Sequence, residues 1–351
     1  MNIIFRNQRH YLDSITSKND CPASSLELMG KPLIVRNIKI LEEFFNIDTI
    51  LLPSEFSSTS DLIQENFPSI NLKEFSDEIK NVAADPSRSR GDLAKDDSAP
   101  IKTRKTTPQG DGLTSVNSES SFSDGNHIIK NIALNRSDDC FEIPLNAVLW
   151  HSQAAENLLI DSIVYPWEFL DIAQKIMYEE VKCTVISPNA TVAKSSILEG
   201  PCIIEDNVTI DDFCKIKGPT YIGDRSFIGM TSLIRNCMLG HDTRIGFNCE
   251  IGKSYFVGHD KIAHQNVILD SLIGKNVWFG GYSGTANVLL TRKNIRYDKG
   301  DGELIDTKID HFGALVGNNC AIGASVIILP GRHINPNTTI QAGTILGKKE
   351  E

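Results

Sequence analysis

From Ile186 to Leu346 the chain returns an aliphatic residue at every sixth position, and no helix has that period. Ile186, Val192, Leu198, Ile204, Ile210, Ile216, Ile222, Ile228 and Ile234 form an unbroken run. After a one-residue slip it resumes at Leu239, Ile245, Ile251 and Val257, and after a long interruption it closes with Val316, Ile322, Ile328, Ile334, Ile340 and Leu346. A helix repeats its apolar residues three and four apart, and a half-buried strand alternates by two only until its first turn. A period of six therefore reads as very short strands turning at fixed intervals, a parallel β-helix. Glycine or asparagine follows the ladder repeatedly, as at Gly223, Gly229, Gly240, Gly246, Gly274, Gly317 and Gly323. That suits corners that need small residues or positive φ. Each coil buries its aliphatic residues only against its neighbours, so the stack needs capped ends.

With 351 residues there is room for a second domain. A formal charge of −10 argues against a general nucleic-acid or anionic-membrane surface and leaves only local basic pockets for phosphates. The eight cysteines include no C-x-x-C pair or other zinc spacing and are expected to be reduced thiols, several pointing into coils. Nothing near Met1 resembles a signal peptide and no apolar run reaches membrane-spanning length, so the expected compartment is the cytoplasm.

Upstream of the ladder the pattern is α/β. Met1 to Phe5 reads as a strand, Pro32 to Phe45 as an amphipathic helix with Ile34, Ile38, Leu41 and Phe45 on one face, and Thr49 to Leu52 as a buried strand. Residues 84–126, rich in Ser, Asp, Lys, Gly and Pro, cannot build a core and are expected to form a disordered insertion. It divides the domain into residues 1–83 and 127–180. In the second part Cys140 to Trp150 suits a strand, Gln153 to Ile160 a short helix, and the stretch from Tyr165 a long amphipathic helix opened by Pro166, with Phe169, Ile172, Ala173 and Ile176 on one face. Residues 181–351 form the β-helix, with a loop at 285–312. The words ELMGKPLIVRNIKILEEFFNIDTILLP (27–53) resemble the opening of sugar-1-phosphate nucleotidyltransferases. That family places a glycine-rich phosphate loop and a lysine before a proline upstream of this point. Residues 1–25 here contain no glycine, and Cys21 precedes Pro22. A phosphate cradle needs several converging backbone N–H groups and the close approach that glycine permits. The expectation is a truncated, degenerate nucleotidyltransferase-like (Rossmann-like) domain serving as a scaffold.

Between Phe279 and Val316 the rhythm stops, and a Gly/Ser/Thr-rich entry leads into a basic run of Arg292, Lys293 and Arg296. A long loop on a rigid repeat is often functional. The words VWFGGYSGTANV, GELIDT and HFGALVGNNCAIGASVIILPG strongly resemble the C-terminal half of archaeal sugar-phosphate nucleotidyltransferases that also acetylate amino-sugar phosphates. They are similar, less closely, to the acetyltransferase half of the bacterial bifunctional N-acetylglucosamine-1-phosphate uridyltransferase/glucosamine-1-phosphate acetyltransferase. The resemblance implies a left-handed β-helix, a homotrimer, and acetyl transfer from acetyl-coenzyme A to a sugar amine. Such chemistry needs a base for the amine proton, donors for the oxyanion and cations for the phosphate.

By that resemblance the base falls on His264 and the amide of the T-A-N segment on Asn287. Lys293, Arg296 and Arg235 fall on phosphate-binding positions, and Lys253 on one shifted by a residue. An Arg at a Lys position can still grip phosphate. The thioester's arm would lie against small residues: Gly281, Ser283, Ala324 and Ala342, with Ala321, Gly323, Ser325 and Gly343 beside them and Arg332, Lys348 or Lys349 reaching its phosphates. Three positions depart from the family: Val267 stands for a tyrosine, Trp278 for an asparagine and Val288 for a tyrosine. Losing such donors changes specificity, so the acceptor is expected to differ from glucosamine-1-phosphate, or acetylation to have been lost. The leading expectation is an amino-sugar-phosphate N-acetyltransferase acting on a small sugar phosphate and a CoA thioester, with no nucleic-acid or membrane partner. One alternative is a sugar-1-phosphate nucleotidyltransferase, the only case that would call for Mg2+. Another is a non-catalytic protein that binds sugar nucleotides.

Overall fold

In a computed structural model the protein is described at residues 2–6, 12, 15–16, 26–43, 46–53, 56–75, 136–137, 140–144, 147–152, 157–298 and 303–347. The expected disordered insertion at 84–126 lies outside these residues, as do Cys21, Phe45, Lys348 and Lys349. The ladder folds as a parallel β-helix with three faces, each an eight-stranded sheet whose members come from successive coils. The first face contains Cys202–Ile204, Thr220–Ile222, Met238–Leu239 and Tyr255–Gly258. The second contains Thr209–Ile210, Phe227–Ile228, Arg244–Ile245 and Lys261–Ile262. The third contains Lys215–Lys217, Leu233–Arg235, Glu250–Gly252 and Val267–Leu269. Ile204, Ile210, Ile216, Ile222, Ile228, Ile234, Leu239, Ile245 and Ile251 fill one continuous core and are at most 1% exposed. At roughly 1.5–3 kcal/mol per fully buried aliphatic side chain, this column is the main stabilising element of the region.

The inward position departs from the sequence reading at Val257. Phe256 points inward there, and Val257 packs on the outer cluster. The reason is register. Inward residues pair as Ile222↔Leu239, Leu239↔Phe256 and Phe256↔Ile273, so these coils are seventeen residues long (239 − 222, 256 − 239 and 273 − 256) and each turn from the third face to the first is one residue short. The rhythm also continues further than expected. Phe279 and Thr285 occupy inward positions, and the chain leaves the coil only after Thr285 and rejoins it at Ala314. Thr285 hid this step because it is polar. Its Oγ1 is satisfied inside, accepting from Leu269 N at 3.0 Å and from Ser271 Oγ at 2.9 Å.

Left-handed φ at the corners is carried mostly by residues other than glycine, including Arg225, Asp242, His259, Gln265 and Tyr282. Glycines such as Gly229 answer a different need. A Cβ there would stand 2.7 Å from the carbonyl carbon of Gly246 on the next coil. Glycine at this position lets two backbones approach.

The N-terminal part is a mostly parallel sheet in the order Asn71–Phe75, Thr49–Pro53, Asn2–Arg6, Cys140–Pro144, Arg136–Ser137, with only the last strand antiparallel. Helices Leu33–Glu42 and Ser57–Asn66 make the crossovers. Ile34, Ile38 and Leu41 are buried as expected. Of the stretch expected to form a short helix, residues 153–156 lie outside the described residues and Asn157 to Ile160 belong to a strand. That strand, Asn157–Ser162, pairs antiparallel to Ala147–Ser152. The single strand expected over Cys140 to Trp150 is divided between Cys140–Pro144 in the mostly parallel sheet and Ala147–Ser152 in this hairpin, so three strands stand where one strand and a helix were expected. The short apolar run Leu158–Ile160 suits either element, and pairing decides.

Helix Pro166–Glu180 begins as its proline predicts, with Glu168 Oε2 accepting from Tyr165 N at 2.9 Å. Its buried face packs on the outside of the first face. The Phe169 ring meets Tyr255 edge-on at 4.8 Å, and Gln174 donates to Asn236 O at 2.8 Å. Hairpin residues Leu26 and Leu28 join the same cluster, Arg36 forms a bidentate ion pair with Glu180, and Asn37 donates to Ala147 O at 2.7 Å. The first face is therefore covered by the N-terminal part, while no described residue of that part covers the second or third.

Candidate active site

The three faces meet at three edges, and the predicted site residues are divided between two of them. Turns between the second and third faces stack as one edge. Gln265 N donates to Phe247 O at 2.8 Å, Tyr282 N to His264 O at 3.0 Å, Ser325 N to Gly281 O at 2.9 Å and Gly343 N to Ala324 O at 2.8 Å. That ladder places His264, Gly281, Ala324 and Ala342 in successive coils along one line. Ser283 sits one step inward. Its hydroxyl, on a residue only 3% exposed, donates to Gly323 O at 2.8 Å and accepts from Val326 N at 3.0 Å, so it serves the coil.

His264 lines an open cavity of about 280 Å³ together with Phe227, Arg244, Gly246, Lys261, Ala263 and Trp278. Its Nδ1 accepts a hydrogen bond from Phe247 N at 3.3 Å. In a neutral ring so held, the proton sits on Nε2. Taking a proton from a substrate therefore requires Nδ1 to give up that bond.

Arg235, Lys253, Asn287, Lys293 and Arg296 belong to the opposite edge, where the third face turns back to the first. Lys253 N donates to Arg235 O at 2.9 Å, and Lys253 itself is exposed at a φ of 47°. Arg235 lies across Gly252, where a Cβ would be 2.8 Å from its Cζ. Its Nε and Nη2 donate to Glu250 Oε1 at 3.1 and 2.9 Å, so a phosphate would have to compete with a carboxylate. The excursion at 286–313 leaves the coil at this edge. Asn287 Nδ2 donates to Asp270 Oδ2 at 2.5 Å, and Phe312 N closes the loop onto Asn287 O at 2.9 Å.

The excursion is anchored firmly. It carries a hairpin of Arg296–Asp298 against Leu304–Asp306. Ile295, Tyr297 and Phe312 are fully buried, and Trp167 of the long helix meets Tyr297 and Phe312 edge-on at 5.4 and 6.1 Å. Lys293 and Arg296 are exposed on this held segment. Arg332 is in the first-face strand Arg332–Ile334, away from the edge of Ala324 and Ala342, with its Nε buried and unpartnered. Burial lowers its pKa.

The third edge, between the first and second faces, holds a cluster that the sequence reading passed over. Arg225 grips Asp242 through Nε and Nη2, both at 2.9 Å, which keeps that carboxyl below its usual range. His259 Nδ1 is 3.3 Å from Asp242 Oδ2, and the ring packs edge-on against His241 at 5.0 Å. Burial, followed by Lys275 and His241, lowers the His259 pKa. The available signal was the triplet G-H-D at 240–242 and again at 258–260. An eighteen-residue repeat (258 − 240) on a seventeen-residue coil is offset by one, which brings Asp242 of the first triplet beside His259 of the second.

Among the described residues the thiols of Cys183, Cys202, Cys214, Cys237, Cys249 and Cys320 are free, and all but Cys183 are buried. Burial raises Cys237 to about 12, which leaves it unreactive. No group of described residues has the makings of a metal site, and no described helix is long and apolar enough to cross a membrane.

Residues 201–236 match the family described as "Bacterial transferase hexapeptide (six repeats)". The matched residues lie within the coiled half of the chain. The chain is similar to "Bifunctional protein GlmU" of Methanococcus aeolicus, 29% identical over 53% of this chain and 44% of the relative. A "Bifunctional sugar-1-phosphate nucleotidylyltransferase/acetyltransferase" of Sulfurisphaera tokodaii is 29% identical over 52% and 45%. An "Uncharacterized acetyltransferase YaiX" of Escherichia coli O6:K15:H31 is 28% identical over 51% of this chain and 81% of its own length. The matched stretch is thus less than half of the two bifunctional relatives.

Proposed function

We propose that the protein is an acyltransferase that moves an acetyl group from acetyl-coenzyme A to the amine of an amino-sugar phosphate, within a left-handed, homotrimeric β-helix. The observation that carries this reading is the edge on which His264, at the mouth of its cavity, continues into the small-residue line of Gly281, Ala324 and Ala342. A thioester arm laid along that line would meet backbone groups and little side-chain bulk. The amine nitrogen attacks the thioester carbonyl carbon, the C–S bond breaks, and the thiolate leaves. His264 accepts the amine proton and gives it to the departing thiolate, so the products are the amide and the free thiol and the imidazole ends neutral.

Asn287, Lys293 and Arg296 cannot serve the same His264 from their own chain, because they lie on the other edge of the third face. A second copy that sets this edge against the His264 edge would complete the site, as closed rotational symmetry allows. Exposed Phe213, Met230, Phe247 and Tyr282 line the His264 edge and supply apolar area for such a contact. In that arrangement Asn287, fixed by Asp270, orients the amine, while Lys293 and Arg296 hold the phosphate. Val267, Trp278 and Val288 make the acceptor pocket less polar than that of the bacterial enzymes, favouring an acceptor other than glucosamine-1-phosphate.

A second assignment of the base rests on one observation. His259 faces Asp242 through Nδ1, which leaves Nε2 as the accepting nitrogen, whereas the accepting nitrogen of His264 is already bonded to Phe247 N. Incubating the full chain with acetyl-coenzyme A and glucosamine-1-phosphate or galactosamine-1-phosphate, and following free thiol, tests the reaction. Loss of thiol release in His264→Ala but not in His259→Ala supports His264 as base, and the reverse assigns the role to His259.

A further inference from the structure

The outward positions of the second face form a sequence of side chains unlike the rest of the solenoid. Strand pairing stacks Thr209, Phe227, Arg244, Lys261, Trp278 and Ala321 in that order. Two cations stand side by side between two aromatic rings, and small residues close both ends. Successive strands are about 4.8 Å apart, so the row from Phe227 to Trp278 is about 14 Å long.

Three features of this row call for a ligand. Arg244 and Lys261 are directly paired like charges, and no acidic side chain lines the cavity beside them. Like charges set opposite each other are unfavourable on a sheet face. Trp278, the largest side chain of the row, is 50% exposed. The Arg244 guanidinium lies 5.4 Å from the Phe227 ring centroid. That contact holds it at a fixed place on the face while leaving its N–H groups to an anion. A planar ring to stack, two cations for adjacent phosphates and a length of about 14 Å fit a nucleoside diphosphate.

We infer that the second face binds the nucleoside diphosphate portion of the acceptor, so that the amine acetylated beside His264 belongs to a nucleotide-linked amino sugar. The inference rests on the acyl-transfer reading for the role of that amine, and the binding claim stands on the row alone. Coenzyme A also carries a nucleotide diphosphate. The line of small residues expected to receive its arm begins on the coil of His264 and continues toward Ala342, whereas Phe227 and Arg244 stand on the two coils before it, which assigns their end of the row to the acceptor.

Calorimetric titration of the full chain with UDP, GDP, ADP, dTDP, inorganic pyrophosphate and coenzyme A separates these sources. The expected result is that at least one nucleoside diphosphate binds tenfold or more tightly than pyrophosphate. Arg244→Ala and Trp278→Ala should each weaken it by tenfold or more and leave coenzyme A binding unchanged, with Arg244→Lys retaining part of the affinity. Melting curves check that the exposed-site variants remain folded. If no nucleoside diphosphate outbinds pyrophosphate, or the variants leave its affinity unchanged, the inference is overturned. If the variants weaken coenzyme A instead, the row is the thioester's subsite and the inference is again overturned. These outcomes are read without turnover. Thiol release onto glucosamine-1-phosphate in a protein that binds no nucleotide would leave the acyl-transfer reading standing.

Discussion

The two edges of the third face are built from the same coil and differ in what they carry. The His264 edge keeps to the repeat: four-residue turns, backbone hydrogen bonds from coil to coil, and Gly281, Ala324 and Ala342 in line. The opposite edge breaks the repeat. Three of its turns are a residue short, it carries Arg235, Lys253 and Asp270, and it releases the excursion at 286–313. A regular edge offers a smooth groove for a long ligand, and an irregular one offers charged groups at chosen points. Under the proposed acyl transfer neither edge is complete by itself, and one chain cannot fold one onto the other, because a whole sheet face separates them.

The contrast is broken most severely at His264. If it is the base, His264→Ala lowers the rate of thiol release by about 10²–10⁴-fold, the usual contribution of a general base, while the melting temperature, read in parallel, stays close to that of the wild type. The solenoid that separates the edges comes next. Ile268 is fully buried between them. Ile268→Ala should therefore cost about 2–5 kcal/mol in a denaturant titration. On the irregular edge, Lys293→Ala should raise KM for the sugar phosphate by about tenfold with a smaller change in kcat, the pattern of a lost binding contact.

A smaller effect concerns the edge that takes part in neither half of the contrast. Asp260 is fully buried, its oxygens accepting from Val277 N at 2.8 Å and Gly258 N at 3.2 Å. Desolvation raises its pKa well above the usual range. A carboxyl with a raised folded-state pKa contributes stability below its unfolded value, near pH 3.8, and loses it as pH rises through the folded-state value. Asp260→Asn should flatten that dependence, seen by comparing melting temperatures of the two proteins from about pH 5 to 8.

Much of this architecture was legible in the sequence because aliphatic side chains report the inward position directly. The reading failed where chemistry and position diverge. Val257 looks like a ladder residue and points outward, since a missing turn residue changes register without changing composition. Thr285 looks polar and points inward, since its hydroxyl is satisfied by Leu269 and Ser271. The site was legible residue by residue and not as an assembly. Spacing along the chain places His264 and Asn287 twenty-three residues apart (287 − 264) and says nothing of which edge each occupies. The His259–Asp242 contact was hidden for a related reason, because it arises from the mismatch of two periods.

The central claim is that the His264 edge of one copy and the Asn287 edge of another make one site. It is tested most directly by co-expressing His264→Ala and Asn287→Ala chains and measuring thiol release from the mixed oligomers against each variant alone. With random assembly, about a quarter of the sites combine an intact His264 with an intact Asn287, so the account predicts recovery to about a quarter of wild-type activity. Mixed oligomers no more active than the parents would contradict it.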